Sequence, residues 1–282
     1  MNKEERYAAL LNFEKKFHEP IWKFIVHKIA NRDDDPAIEV DHSAPVFRPR
    51  WGKGAKPNNQ LDKVKDVAED YLADLELLDI SEDACVFTDL LAEKYKVKRI
   101  VSVTRESNAA EYIPSKHSNH EFVNVDLTDP AQYDTLKHQG QFDVIVLKEV
   151  LYQIMATMPQ FFEVIVECLK PDGIIFTVWR PQNPALPIPN AAMPNWKKLA
   201  PSRDDVIQAA ADAGLKIDAF AASCPITIDR EDWARILLTN CLPAVRHSPK
   251  CTPAAIADFI SKRPNIMKFE ERIFIFVFWL PD

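Results

Sequence analysis

Residues 142–179 read FDVIVLKEVLYQIMATMPQFFEVIVECLKPDGIIFTVW. Phe142–Leu147 is apolar throughout except Asp143, too continuous for a strand with one wet face, so it reads as a strand buried on both faces. Pro159–Leu169 reads as a helix, and Lys170-Pro171-Asp172-Gly173 ends it. Ile174–Trp179 is a second fully apolar strand. Strand, helix and strand in this order predict neighbouring parallel strands in a sheet covered on both faces.

The same alternation extends outward in both directions. Upstream, Leu77–Ile80, Arg99–Val103 and Phe122–Val125 read as strands, with helices at Phe87–Tyr95 and Asp129–Gln139. Residues 61–76 form an amphipathic helical pattern with Leu61, Val64, Val67, Tyr71, Leu72 and Leu75 on one face. Downstream, a proline-rich loop from Pro181 to Pro194 leads to a helix with Ser202 as its N-cap and Gly214 as its stop. Strands at Lys216–Phe220 and Ile226–Ile228, helices at Glu231–Leu238 and Pro253–Ile260, and a final strand at Glu270–Leu280 complete the chain. Residues 3–31 read as two helices divided at Pro20, which suits a first turn but breaks a helix interior. Residues 1–60 are thus expected to be a helical extension with a basic loop, and 61–282 an α/β domain.

Composition narrows the function. The chain has 282 residues, 35 Lys+Arg against 42 Asp+Glu, and a net charge of -7. An acidic balance argues against nucleic-acid binding. The longest apolar stretch, Ile273–Leu280, is far short of the ~20 residues a membrane span needs. The five cysteines show neither disulfide nor zinc spacing, which fits a reducing cytoplasmic setting. His117 and His120 lack further ligands, so no metal site is expected. Glycine occurs only 5 times, where an average composition would give about 20. Loops that cradle phosphates or cofactors depend on glycine, so few such loops are available.

Four segments in order resemble the class I S-adenosylmethionine-dependent methyltransferases. Leu77-Leu78-Asp79-Ile80 resembles the first strand, with its acidic residue before the cofactor loop. Phe142–Leu147 resembles the fourth strand, and Lys148–Ile154 its trailing segment. Leu169-Lys170-Pro171-Asp172-Gly173 resembles the turn into strand five, and the helix from Asp204 to Gly214-Leu215 resembles the one before strand six. The resemblance implies a Rossmann-like α/β sheet of about seven strands with helices on both faces, the last strand antiparallel. It also implies S-adenosylmethionine as cofactor. A weaker likeness is to the vestigial methyltransferase domains of nematode phosphoethanolamine N-methyltransferases.

The cofactor positions depart from the family pattern. Where it has G-x-G-x-G, this chain has Ser81, Glu82, Asp83, Ala84 and Cys85. Side chains fill all three glycine positions, and two carboxylates face the end that should hold the methionine carboxylate. At the end of strand two the resemblance implies an acidic residue for the ribose hydroxyls, but Thr104 stands there, with Glu106 as a displaced substitute. Asp126 matches the adenine-side acid; it equally suits the cap of the turn before Asp129-Pro130. The resemblance therefore assigns Asp79, Ser81, Asp83, Thr104, Glu106, Asp126 and Lys148 to the cofactor side. Loss of the charged ribose contact and crowding at three glycine positions together remove about 4–6 kcal/mol, which predicts S-adenosylmethionine binding of about 1 mM or weaker.

Outside that loop, Glu149 and Tyr152 follow strand four, at the edge where open α/β sheets place ligands. They are candidates for substrate contact; the plainer reading is a solvated helix start. Arg48 and Arg50 lie in the basic loop and could hold a phosphate-bearing substrate. Trp51 and Trp196 read as loop residues able to line a pocket. The expected function is that of a methyltransferase-like pseudoenzyme acting through a small-molecule ligand or a protein partner such as an active relative. The alternative is an active small-molecule methyltransferase with an atypical cofactor loop.

Overall fold

The computed structural model describes residues 8, 11–15, 17, 19–30, 73–81, 86, 88, 92, 96–104, 119–239 and 242–281. Seven strands form one sheet: β1 (Glu76–Ser81), β2 (Arg99–Thr104), β3 (His120–Asn124), β4 (Phe142–Lys148), β5 (Leu169–Trp179), β6 (Lys216–Asp229) and β7 (Ile266–Trp279). Their spatial order is β3-β2-β1-β4-β5-β7-β6. The first five strands pair in parallel, and β7 is antiparallel to both β5 and β6. The predicted α/β sheet of seven strands with an antiparallel last strand is the one observed.

The apolar strands divide their side chains between two cores, as the period of two requires. On β4, Ile145 and Leu147 face one cluster with Phe161, Phe162 and Ile165 of helix α3 (Met158–Glu167) and Val206 of helix α5 (Arg203–Asp212). Val144 and Val146 face the other, together with Ile21, Trp22, Ile25 and Ile29 of helix α1 (Glu19–Ala30). Pro20 lies in the first turn of α1, where its missing N–H is harmless. Each large apolar side chain buried this way stabilises by about 2 kcal/mol. Helix α1, though placed in the extension by sequence, shares its core with β1, β4, β5 and β7.

The predicted N-cap at Ser202 and stop at Gly214 hold, whereas α3 already ends at Glu167 and residues 169–173, expected as a helix end and turn, open β5. Ser202 Oγ accepts from Asp205 N at 3.1 Å and caps α5. Gly214 takes φ +80 at its end, a left-handed conformation that costs other residues about 1 kcal/mol. At Gly173 a Cβ would stand 2.9 Å from the Lys170 carbonyl oxygen. Other boundaries shift. Between residues 129 and 139 the chain forms a 3₁₀ turn (Pro130–Gln132) and then a short helix α2 (Asp134–Lys137), rather than one helix. Trp196 lies in helix α4 (Met193–Leu199), not in a loop. Of the helix expected over 61–76, the described residues 73–76 are not helical but form a turn that enters β1, where Glu76 pairs with Arg99; the rest of it, and most of that over 87–95, lies outside the described residues.

The largest departure is in the last two strands. The two short strands expected between 216 and 228 are one continuous strand, and β7 starts four residues before its expected beginning. The pairing of β6 with β7 runs from Lys216↔Trp279 to Asp229↔Ile266. Pairing of β5 with β7 stops at Trp179↔Phe274. Residues 266–273 of β7 therefore continue with β6 alone, as a ribbon beyond the C-terminal edge of β5. Around it lies a third apolar cluster, with Trp233 and Ile236 of helix α6 (Arg230–Leu238), Ala244 of helix α7 (Pro243–Arg246), Ile256 of helix α8 (Pro253–Ser261), and Phe13 and Phe17. Phe17 stacks on Trp233 with ring centroids 5.7 Å apart.

Candidate functional site

In an open α/β sheet, ligands bind outside the C-terminal strand ends where the strand order reverses. Here the reversal falls between β1 and β4, whose ends meet as the pair Ser81↔Lys148. Asp79, fully buried on β1, binds inward: its Oδ2 accepts from Thr88 Oγ1, from Ser81 Oγ at 3.2 Å and from Ser102 Oγ at 3.5 Å. Across the switch point, Lys148 Nζ donates to Glu14 Oε1 at 2.8 Å, and both side chains are buried. Glu14 comes from the helical residues 11–15, so the N-terminal segment reaches over the end of β4.

One residue later the chain turns sharply. Glu149 N donates to Val178 O at 2.8 Å, and Glu149 then adopts φ 56, the one positive φ among described non-glycine residues. For a side-chain-bearing residue that conformation costs about 1–3 kcal/mol and must be held by its surroundings. The turn brings Glu149 to Arg180, the residue after β5, with Nη1 to Oε2 3.1 Å apart. Arg180 Nε donates to Glu271 Oε1 at 2.6 Å, and its guanidinium lies over Phe13, 5.3 Å from the ring centroid. Glu271 comes from the β6–β7 ribbon. Thus β4, β5, the ribbon and the N-terminal helical segment each contribute a charge to one buried network.

Its electrostatics are set by burial. Burial works against the Arg180 charge, but Glu149 and Glu271 more than offset it and raise the guanidinium pKa. Glu271 is pushed up to about 7, chiefly by burial and further by Glu149, while Arg180 pulls it down. One oxygen of each carboxylate, Glu149 Oε1 and Glu271 Oε2, is buried with no hydrogen-bond partner, as is Trp179 Nε1.

Beside this network is a small cleft, partly open to solvent, lined by Glu149, Tyr152, Trp179, Arg180, Trp196 and Leu199 among others. Tyr152 sits in the 3₁₀ turn Leu151–Gln153, and its hydroxyl accepts from Arg246 Nη2 at 3.0 Å. Trp196 is anchored by its Nε1, which donates to Pro181 O at 2.9 Å. Glu149 and Tyr152 therefore do not form a solvated helix start.

The structure scatters the sequence-derived candidates. Asp79, Ser81 and Lys148 lie at the β1–β4 switch point, and Thr104 is buried at the end of β2. Asp126 stands at a turn, where its Oδ1 accepts from Thr128 N at 3.0 Å and Thr128 Oγ1 at 2.7 Å. Tyr152 lines the cleft, whereas Asp83, Glu106, Arg48 and Arg50 lie outside the described residues. Sequence reasoning missed Glu14, Arg180 and Glu271. Two signals were available. Arg180 directly follows a central strand, much as Lys148 ends one. Glu271 shares the strand parity of Met267, Ile273, Ile275 and Val277, all buried, so period two already placed a carboxylate on an apolar face.

Residues 71–177 match the protein family described as "Methyltransferase domain". This chain carries the class I methyltransferase fold. No curated protein matches the chain. Among solved structures, the [4+2]-cyclase SpnF is 14% identical, with 93% of this chain and 95% of that chain covered and a TM-score of 0.47. The cyclopropane synthase MmaA2 of Mycobacterium tuberculosis is 14% identical over 83% of this chain and 89% of that one, with a TM-score of 0.44. Phosphoethanolamine N-methyltransferase 2 of Haemonchus contortus is 13% identical over 73% of this chain and 49% of that one, with a TM-score of 0.45. The fold assignment rests on strand order and the matched family, not on these scores. No described helix of this methyltransferase-fold chain is long and apolar enough to cross a membrane.

Proposed function

We propose that this chain is a methyltransferase-fold protein with a degenerate S-adenosylmethionine site, which acts by binding a small ligand rather than by transferring a methyl group. The observation that carries this reading is the buried Lys148–Glu14 pair at the β1–β4 switch point. A buried ion pair is difficult to displace, since separating its partners leaves an uncompensated charge at about 3–5 kcal/mol. A cofactor entering that crevice would have to accommodate or break it. The residues around it also fit S-adenosylmethionine poorly. Ser81 places a hydroxyl where the family has a glycine, and binds it back to Asp79. Thr104 offers the ribose no charged acceptor, and Asp126 already serves its turn through Oδ1.

The alternative, an active small-molecule methyltransferase, draws its support from the family match over 71–177. Titrating S-adenosylmethionine by calorimetry separates the two. The proposal expects a dissociation constant of about 1 mM or weaker. A micromolar constant overturns it in favour of the active enzyme.

A further inference from the structure

We infer that the cleft beside Glu149 binds a small organic ammonium compound with an apolar body. This deepens the ligand-binding reading above by naming the ligand class. Three independent observations converge on it. First, the walls supplied by Tyr152, Trp179, Trp196 and Leu199 are aromatic or apolar. Aromatic faces attract organic cations and exclude water from around them. Second, the wall contains an incompletely used carboxylate. Arg180 is shared by Glu149 and Glu271, one guanidinium between two carboxylates, and each keeps one buried oxygen with no hydrogen-bond partner. A buried acceptor left unmatched forfeits its hydration without replacement. An ammonium N–H directed at Glu149 would supply the donor that its second oxygen lacks.

Third, the backbone at Glu149 is held at φ 56. Strain of this kind points to function where the rest of the structure enforces it. Here the strand pairing of Lys148 with Val178 and the bond from Glu149 N to Val178 O hold the chain up to the turn. The turn brings Glu149 both to Arg180 and to the lining of the cleft.

The test uses the whole chain and three compounds of nearly equal shape: 2-phenylethylamine as its ammonium ion, neutral 2-phenylethanol and anionic 3-phenylpropionate. Binding is followed by calorimetry and by tryptophan fluorescence, since Trp179 and Trp196 line the cleft. The ammonium compound is expected to bind at least about tenfold more tightly than the other two, and Glu149→Gln is expected to remove that preference. Glu149→Asn supplies the second variant, because asparagine tolerates the left-handed conformation. It should fold at least as stably as the glutamine variant and also lose ammonium selectivity. Equal or tighter binding of 3-phenylpropionate, no ammonium binding up to about 10 mM, or unchanged selectivity in both variants overturns the assignment. The two proposals fail separately: micromolar S-adenosylmethionine binding leaves the ammonium titration intact, and absent ammonium binding leaves the cofactor result intact.

Discussion

Replacing Glu271 by Gln should change how stability depends on pH. Glu271 is fully buried on the β6–β7 ribbon, and burial raises its pKa from 4.5 to about 7. The groups acting on it are Arg180 after β5 and Glu149 after β4, with Cys224 beside it on β6. Between pH 4.5 and 7 the folded chain keeps a proton that the unfolded chain has released. The stabilisation from that proton is fully present below 4.5 and is lost as pH rises through about 7. At about 1.36 kcal/mol per pH unit the interval is worth about 3 kcal/mol. Glutamine has the shape of the protonated acid and does not titrate, and its side-chain oxygen can still accept from Arg180. Urea unfolding of both proteins at about pH 4.5, 6, 7 and 8 and constant ionic strength isolates the effect, because titrations of groups not coupled to Glu271 cancel in the difference. The stability of the wild type relative to E271Q should fall by about 3 kcal/mol across that range, with equal m-values. A flat difference, or one rising with pH, would mean that Arg180 holds Glu271 ionised throughout, and would refute the dominance of burial.

The Lys148–Glu14 pair invites a double-mutant cycle: Lys148→Met alone should destabilise by about 3–5 kcal/mol through the stranded Glu14, and adding Glu14→Leu should restore most of it. A double variant no more stable than the single one would show that the two side chains do not act as a pair. Burial pushes the thiols of Cys168 and Cys224 up to about 12 and about 11. Neither should react with iodoacetamide at about pH 8 in the folded protein, and both should react once urea unfolds it, as read by peptide mass mapping.

Sequence periodicity alone determined most of the sheet. Strands β4 and β5 are apolar on both faces, so they had to lie inside a parallel sheet, and the helix between them had to cover it. The caps at Ser202 and Gly214 were legible because they are local: a side-chain oxygen three residues from an amide, and a backbone angle that glycine accepts readily. The ribbon was not legible as one strand, because Pro225 interrupts its pattern and its partner lies across the chain at Glu270. Only pairing over that distance decides whether two short apolar runs are one strand. The same reason hid the charged network. Glu14 and Lys148 are 134 residues apart and Arg180 and Glu271 are 91 apart. Sequence could show that each sat near an element's end or on an apolar parity. Which charge meets which depends on strand order, and a buried charge is tolerable only where its partner arrives with it. That condition is met by the tertiary fold and by no local property of the chain.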